Sequence, residues 1–125
     1  MLFLMTAAIY ADTFILDNQT PHPDTSTPSK IVIQWASSAK EIEEGNNALL
    51  YTLPLDSKTL QPITEQGKIT LTIPPKSEYF RILIYSNGED HPQLHTNWVE
   101  ITPSKTYILK TDHLVPTLLM AGTGC

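Results

Sequence analysis

Two histidines four residues apart, His91 and His95, follow Asp90 in the stretch EDHPQLH. Imidazole nitrogens and a carboxylate are ligands for zinc-like metals, so this trio is the candidate metal site and the basis of one reading, metal-dependent hydrolysis. The H-x-x-x-H spacing grips a metal best on a helix, where positions i and i+4 share a face. Pro92 interrupts the stretch and turn residues precede it, which favours a solvated loop. No third histidine is adjacent in sequence; His22 and His113 would have to arrive through folding.

Nucleophilic chemistry has less to work with. The single cysteine, Cys125, has no partner histidine in a recognisable context. It is either a passive residue or a thiol for pairing with another chain. No G-x-S-x-G elbow and no Gly-rich phosphate loop occurs. The acidic pairs Glu43-Glu44 and Glu89-Asp90 fall in turn-like sequence. Acid–base work would require burial or a neighbour to part their pKa values. Neither a catalytic residue nor a cofactor is therefore expected.

Aromatic residues offer a different chemistry. Trp98 in TNWVEI and Tyr85 in RILIYS present ring faces that stack on a sugar or anchor a protein partner. With His91 and His95 they form the candidate ligand-binding set, the competing role of Trp98 being core packing. Asn18-Gln19-Thr20 fits the glycosylation sequon.

The elements that must position these residues read as strands. Side chains of a strand point alternately to opposite faces, so period-two alternation buries one face and wets the other. Ile31, Ile33 and Trp35 alternate in KIVIQW; Ile69, Leu71 and Ile73 in KITLTI; Phe80, Ile82 and Ile84 in YFRILIYS. NWVEI and KTYILK continue the pattern. Proline- and glycine-rich turn signals separate the runs, Asn87-Gly88 among them. Short strands at this spacing predict an antiparallel β-sandwich of about seven or eight strands. The one helical candidate, SSAKEIEEGNN, has Ser37 or Ser38 to cap it and Gly45 to end it, which predicts a surface turn or short helix. Pro116 places the apolar DHLVPTLLM at an edge or bulge, either capping the core or recruiting another chain.

Two stretches, IPPKSEY (Ile73 to Tyr79) and ITPSKTY (Ile101 to Tyr107), share an I-x-P-x-x-x-Y pattern that marks strand corners. Laid in order, KIVIQW with Trp35, ALLYTL with Tyr51, and LTIPPKSEYFRILIYSNG resemble the fibronectin type III pattern, an immunoglobulin-like sandwich. The resemblance spans roughly residues 30–102 and rests on Ile73, Pro75, Ser77 and Tyr79 as its corner. It implies that the Tyr79 hydroxyl returns to a backbone group. Residues 103–125 run past the last strand of that pattern.

The totals suit one domain. The chain has 125 residues, 41% hydrophobic and 17% charged, with ten prolines against five glycines. Its net charge of −5 gives no basic footprint for nucleic acid. Residues 1–11 carry no charge, and Leu2 to Ala11 is an apolar run too short to span a bilayer. It reads as a signal segment cut after Ala11 or Ala8, although Phe3 to Ile9 would also suit a buried first strand. The expectation is a secreted or periplasmic sandwich over 12–125. It is expected to be a monomer, without nucleic-acid partner or membrane span, serving as a non-catalytic binding module for a protein or carbohydrate ligand. The alternatives are the hydrolase above and a structural subunit assembling through an edge strand.

Overall fold

The alternating apolar residues face one another across two β-sheets in the computed structural model, which describes residues 12–24, 26 and 28–117. Sheet A orders its strands β4 (Gly67–Thr72), β1 (Thr13–Asn18) and β8 (Thr106–Leu109). Sheet B orders β3 (Leu60–Ile63), β2 (Ser29–Ala36), β5 (Tyr79–Ser86), β6 (Leu94–His95) and β9 (Val115–Pro116), with β7 (Val99–Glu100) also paired to β5. Among the described residues, three of the nine strands are only two residues long. The fold is predominantly β, two facing sheets compatible with an immunoglobulin-like sandwich. Among the described residues the strand pairs are antiparallel except β1 with β8, which is parallel. The expected export segment, residues 1–11, and Cys125 lie outside the described residues.

Phe14 and Leu16 of β1, Leu71 and Leu109 fill one side of the core. Ile31, Ile33 and Trp35 of β2, Ile63, and Phe80, Ile82 and Ile84 of β5 fill the other. Trp35 is 5% exposed, as its place at the end of an alternating face requires. Phe14 stands at the centre, its ring 5.0 Å from Phe80, 5.2 Å from Tyr107 and 5.8 Å from Trp35. Each such buried side chain contributes about 1.5–3 kcal/mol of transfer free energy.

One expectation about β5 fails instructively. Tyr79, Arg81, Leu83 and Tyr85 belong to the face that alternation leaves to solvent. Yet Arg81 through Tyr85 are all buried. A helix and the loop after it cover that outer face. The helix, α1 (Ala39–Leu50), has twelve residues, longer than the surface turn or short helix expected. Ser38 caps it, its hydroxyl accepting from the Glu41 N–H at 3.2 Å, while the Glu41 carboxylate accepts from the Ser37 N–H at 2.8 Å. Gly45 does not end α1; it lies inside it, buried against sheet B. The chain then leaves α1 with Thr52 in the left-handed region (φ 55°) and the Leu53 N–H donating to the Ala48 carbonyl at 2.8 Å. This six-to-one bond is the Schellman closure, here made with threonine in place of the usual glycine.

The corner tyrosine also differs from the resemblance. No hydrogen bond of the Tyr79 hydroxyl is found among the described residues. Tyr107, at the equivalent place in the second I-x-P-x-x-x-Y stretch, closes the corner instead. Its hydroxyl donates to the Glu100 carbonyl at 3.0 Å and accepts from the Thr102 N–H at 2.7 Å. The edge strand anticipated around Pro116 is β9, at the margin of sheet B.

Candidate functional site

The four candidate ligand-binding residues, Tyr85, His91, His95 and Trp98, gather on the outer side of sheet B, the side that α1 and its loop cover. Register explains the gathering. Leu83 pairs with His95, and Phe80 pairs with Val99. Arg81 and Ile82 therefore stand opposite three residues, Thr96, Asn97 and Trp98. This is a β-bulge, and a bulge re-aims the side chains beside it. The Thr96 hydroxyl accepts from the Ile82 N–H at 2.9 Å and holds the bulge in place. Trp98 thereby turns onto Arg81 instead of entering the core.

Arg81 is 1% exposed and organises this region. Its Nε donates to Gln34 Oε1 at 2.7 Å, Nη1 to Asn46 Oδ1 at 3.0 Å and Nη2 to the Gly45 carbonyl at 3.0 Å. The guanidinium lies 4.4 Å from the centre of the Trp98 ring, and the Trp98 Nε1–H donates to the same Asn46 Oδ1 at 3.0 Å. All three hydrogen-bond acceptors are neutral. Burial accordingly pulls the Arg81 pKa down to about 10, the Tyr85 hydroxyl opposing slightly. A helix comes this near only where it carries no Cβ. A Cβ on Gly45 would sit 3.2 Å from Arg81 Nη2, Gln34 Nε2 and Trp98 Cζ2.

His95 occupies the middle of this face, 6% exposed, with Nδ1 3.2 Å from the Thr117 hydroxyl. Burial, and secondarily the Arg81 charge, lower its pKa and favour the neutral ring. Tyr85 lies further along β5, with the Lys30 ammonium 5.2 Å from its ring centre. Burial raises the Tyr85 pKa, with Arg81 partly opposing. The Asn18 sequon is not presented for modification. The Asn18 side chain is 2% exposed, donates to the His22 and Glu65 carbonyls and accepts from the Thr20 N–H and hydroxyl.

Beyond Tyr85 the surface opens into a cleft of about 230 Å³. Tyr85, Asp90, His91 and Pro92 form one wall; Leu53, Pro54, Leu55 and Leu60 form the other. Leu53 is 50% exposed, and Tyr51 in the same loop is 65% exposed. The fold thus brings Tyr85, His91 and Asp90 to one place, with His95 and Trp98 engaged nearby. No three His, Cys, Asp or Glu side chains among the described residues converge as metal ligands. Sequence reasoning missed Leu53 and Arg81, took Gly45 for the end of the helix and read Tyr51 as part of the sandwich pattern. The signal available was TLPL after the helical stretch, two leucines around a proline where a loop would be polar.

No helix among the described residues is long and apolar enough to cross a membrane. Compared with known proteins, the chain matches no family model and no curated sequence.

Proposed function

We propose that the chain is a non-catalytic protein-binding module of immunoglobulin-like build, acting outside the cytoplasm, with the cleft between Tyr85–Pro92 and Leu53–Leu60 as its contact surface. The observation that carries this reading is a cleft with one wall of leucine and proline side chains, bordered by a loop that exposes Leu53 and Tyr51. Burying Leu53 and Tyr51 in an interface would contribute on the scale of an interface anchor, about 2 kcal/mol each. His91 and Asp90 supply a polar rim.

A protein partner is favoured over a carbohydrate because the Trp98 ring is taken up by the Arg81 guanidinium. The immunoglobulin-like reading is supported by the two facing sheets and by Trp35 between them. The uncharged apolar run of residues 1–11, closing on Ala11, supports export.

Co-purification from the native source tests the function. The wild-type chain is expected to retain a defined protein that the double variant Tyr51→Ser, Leu53→Ser loses. Equal capture by both chains would refute the cleft as the contact surface.

A further inference from the structure

A second surface, far from the cleft in register, has the properties of a strand acceptor. Among the described residues the sheets end on β3, β9, β4 and β8, and the two-residue β7, which carries Glu100, is also paired on one side only. β3 carries Pro62 and β9 carries Pro116, residues that cannot donate to a ladder. On β4 the exposed side chains are Lys68, Thr70 and Thr72, a polar guard against pairing. β8 holds no proline, and of its two exposed residues, Thr106 and Ile108, the second is a large apolar side chain 49% exposed.

The free backbone of β8 follows from its pairing. The carbonyls of Lys105 and Leu109 accept from the Ile15 and Gln19 N–H groups of the β1 side. Backbone groups alternate in direction along a strand, so those of Thr106 and Ile108 point away from β1. At the next outward residue, Lys110, the groups are consumed: its N–H meets His113 Nδ1 and its carbonyl accepts from the His113 N–H. Alongside runs a largely apolar groove of about 450 Å³ between the sheets, reaching Leu16, Phe80, Ile82 and Leu109, with Val115 and Asp112 also lining it.

We propose that β8 accepts an extended strand from another protein, one that alternates apolar side chains and carries carboxylates at its ends. Backbone pairing would come from Thr106 and Ile108, and inward apolar side chains would fill the groove. The charge of the ends follows from Lys105 and Lys110, which bracket β8. The same lysines argue against a second copy. Antiparallel pairing of two β8 strands would gather four lysines along one short ladder, and like charges brought together destabilise a strand pair.

The probe is the capped synthetic peptide Glu-Val-Thr-Val-Thr-Val-Glu, titrated calorimetrically into the full chain. We expect a Kd of about 100 μM or tighter, weakened about tenfold or more by Ile108→Pro. This substitution removes an outward N–H and leaves the donors facing β1 in place. Replacing both peptide glutamates with lysine should weaken binding to a similar degree. If Ile108→Pro does not fold, Val115→Glu, an exposed change in the groove lining, must produce the loss instead. No binding near millimolar peptide, or binding indifferent to Ile108→Pro and Val115→Glu, overturns the proposal. So does a dimer that Ile108→Pro dissociates, which makes a second copy the occupant. A tenfold gain in peptide affinity from Leu118→Asp with Leu119→Asp overturns it as well, by making the chain's own segment the occupant. None of these results bears on the Leu53 cleft, whose test is separate.

Discussion

Nη2 of Arg81 donates to the Gly45 carbonyl at 3.0 Å, tying the middle of α1 to the centre of β5. This bond crosses the layer that alternation in the sequence assigns to solvent. A buried guanidinium is costly unless its donors are matched. Here they are matched by a backbone carbonyl and two amide side chains, Gln34 and Asn46, with Trp98 over the face of the group. The result is a fixed attachment for α1, and α1 in turn sets where Tyr51 and Leu53 emerge.

Gly45→Ala should destabilise the protein although alanine is the better helix former. On an exposed helix the exchange gains up to about 1 kcal/mol. At this position three atoms 3.2 Å from the new Cβ must shift, two of them held in the Arg81 network. Overpacking of this kind costs about 1–3 kcal/mol, so a net loss near 1 kcal/mol is expected in urea denaturation. A gain in stability would mean that α1 is loosely seated.

Arg81→Lys retains the charge and loses the planar fork. One ammonium cannot reach Gln34, Asn46 and Gly45 together, and each buried acceptor left unpaired costs about 1–3 kcal/mol. The expected loss is about 2–4 kcal/mol, again by urea denaturation. A loss below about 0.5 kcal/mol, the size of an ordinary surface change, would show that the network carries little.

The two tyrosines of the repeated corner pattern make a paired test. Tyr107→Phe removes a donor to Glu100 and an acceptor for Thr102, for a loss of about 1–2 kcal/mol. Tyr79→Phe should stay within about 0.5 kcal/mol of wild type. The reverse order in thermal or urea melts would restore the corner to Tyr79.

Much of this architecture was legible in the sequence because core residues obey a simple period. Phe80, Ile82 and Ile84 point inward as alternation requires, and Trp35 with them. The outer face was not legible. A period-two pattern cannot say whether Arg81 is wet or covered, and glycine reads equally as a helix end or as a close approach. The bulge at Thr96–Trp98 was hidden for a related reason: one extra residue in a strand changes register without changing composition. His91 and Asp90 were found as candidate residues, since turns around short strands are exposed; Tyr85 was chosen for its ring at a strand end and is buried there. Leu53 went unnoticed, and Tyr51 was read as part of the sandwich pattern rather than as the C-cap of α1, because their loop had to be placed by α1 first.

His95 gives a pH dependence with a definite sign. Its folded pKa is depressed from 6.5 by burial and by Arg81. Its contribution is fully present above the unfolded value and is lost as pH falls through the folded one. Lowering pH from about 7.5 to about 5 should therefore destabilise the wild type more than a His95→Asn variant. His22, also lowered by burial, acts in the same direction and is common to both proteins. Parallel loss in the two proteins would remove His95 as a contributor.

The most direct measurement of the central claim places a photo-crosslinking amino acid at position 53 in the full chain, in its native source. A second chain carries the same group at position 68, on the exposed edge of sheet A. Binding through the Tyr85–Leu53 cleft predicts one dominant protein adduct from position 53 and none of that species from position 68. The same adduct from both positions, or none from position 53 while a partner still co-purifies, would contradict it.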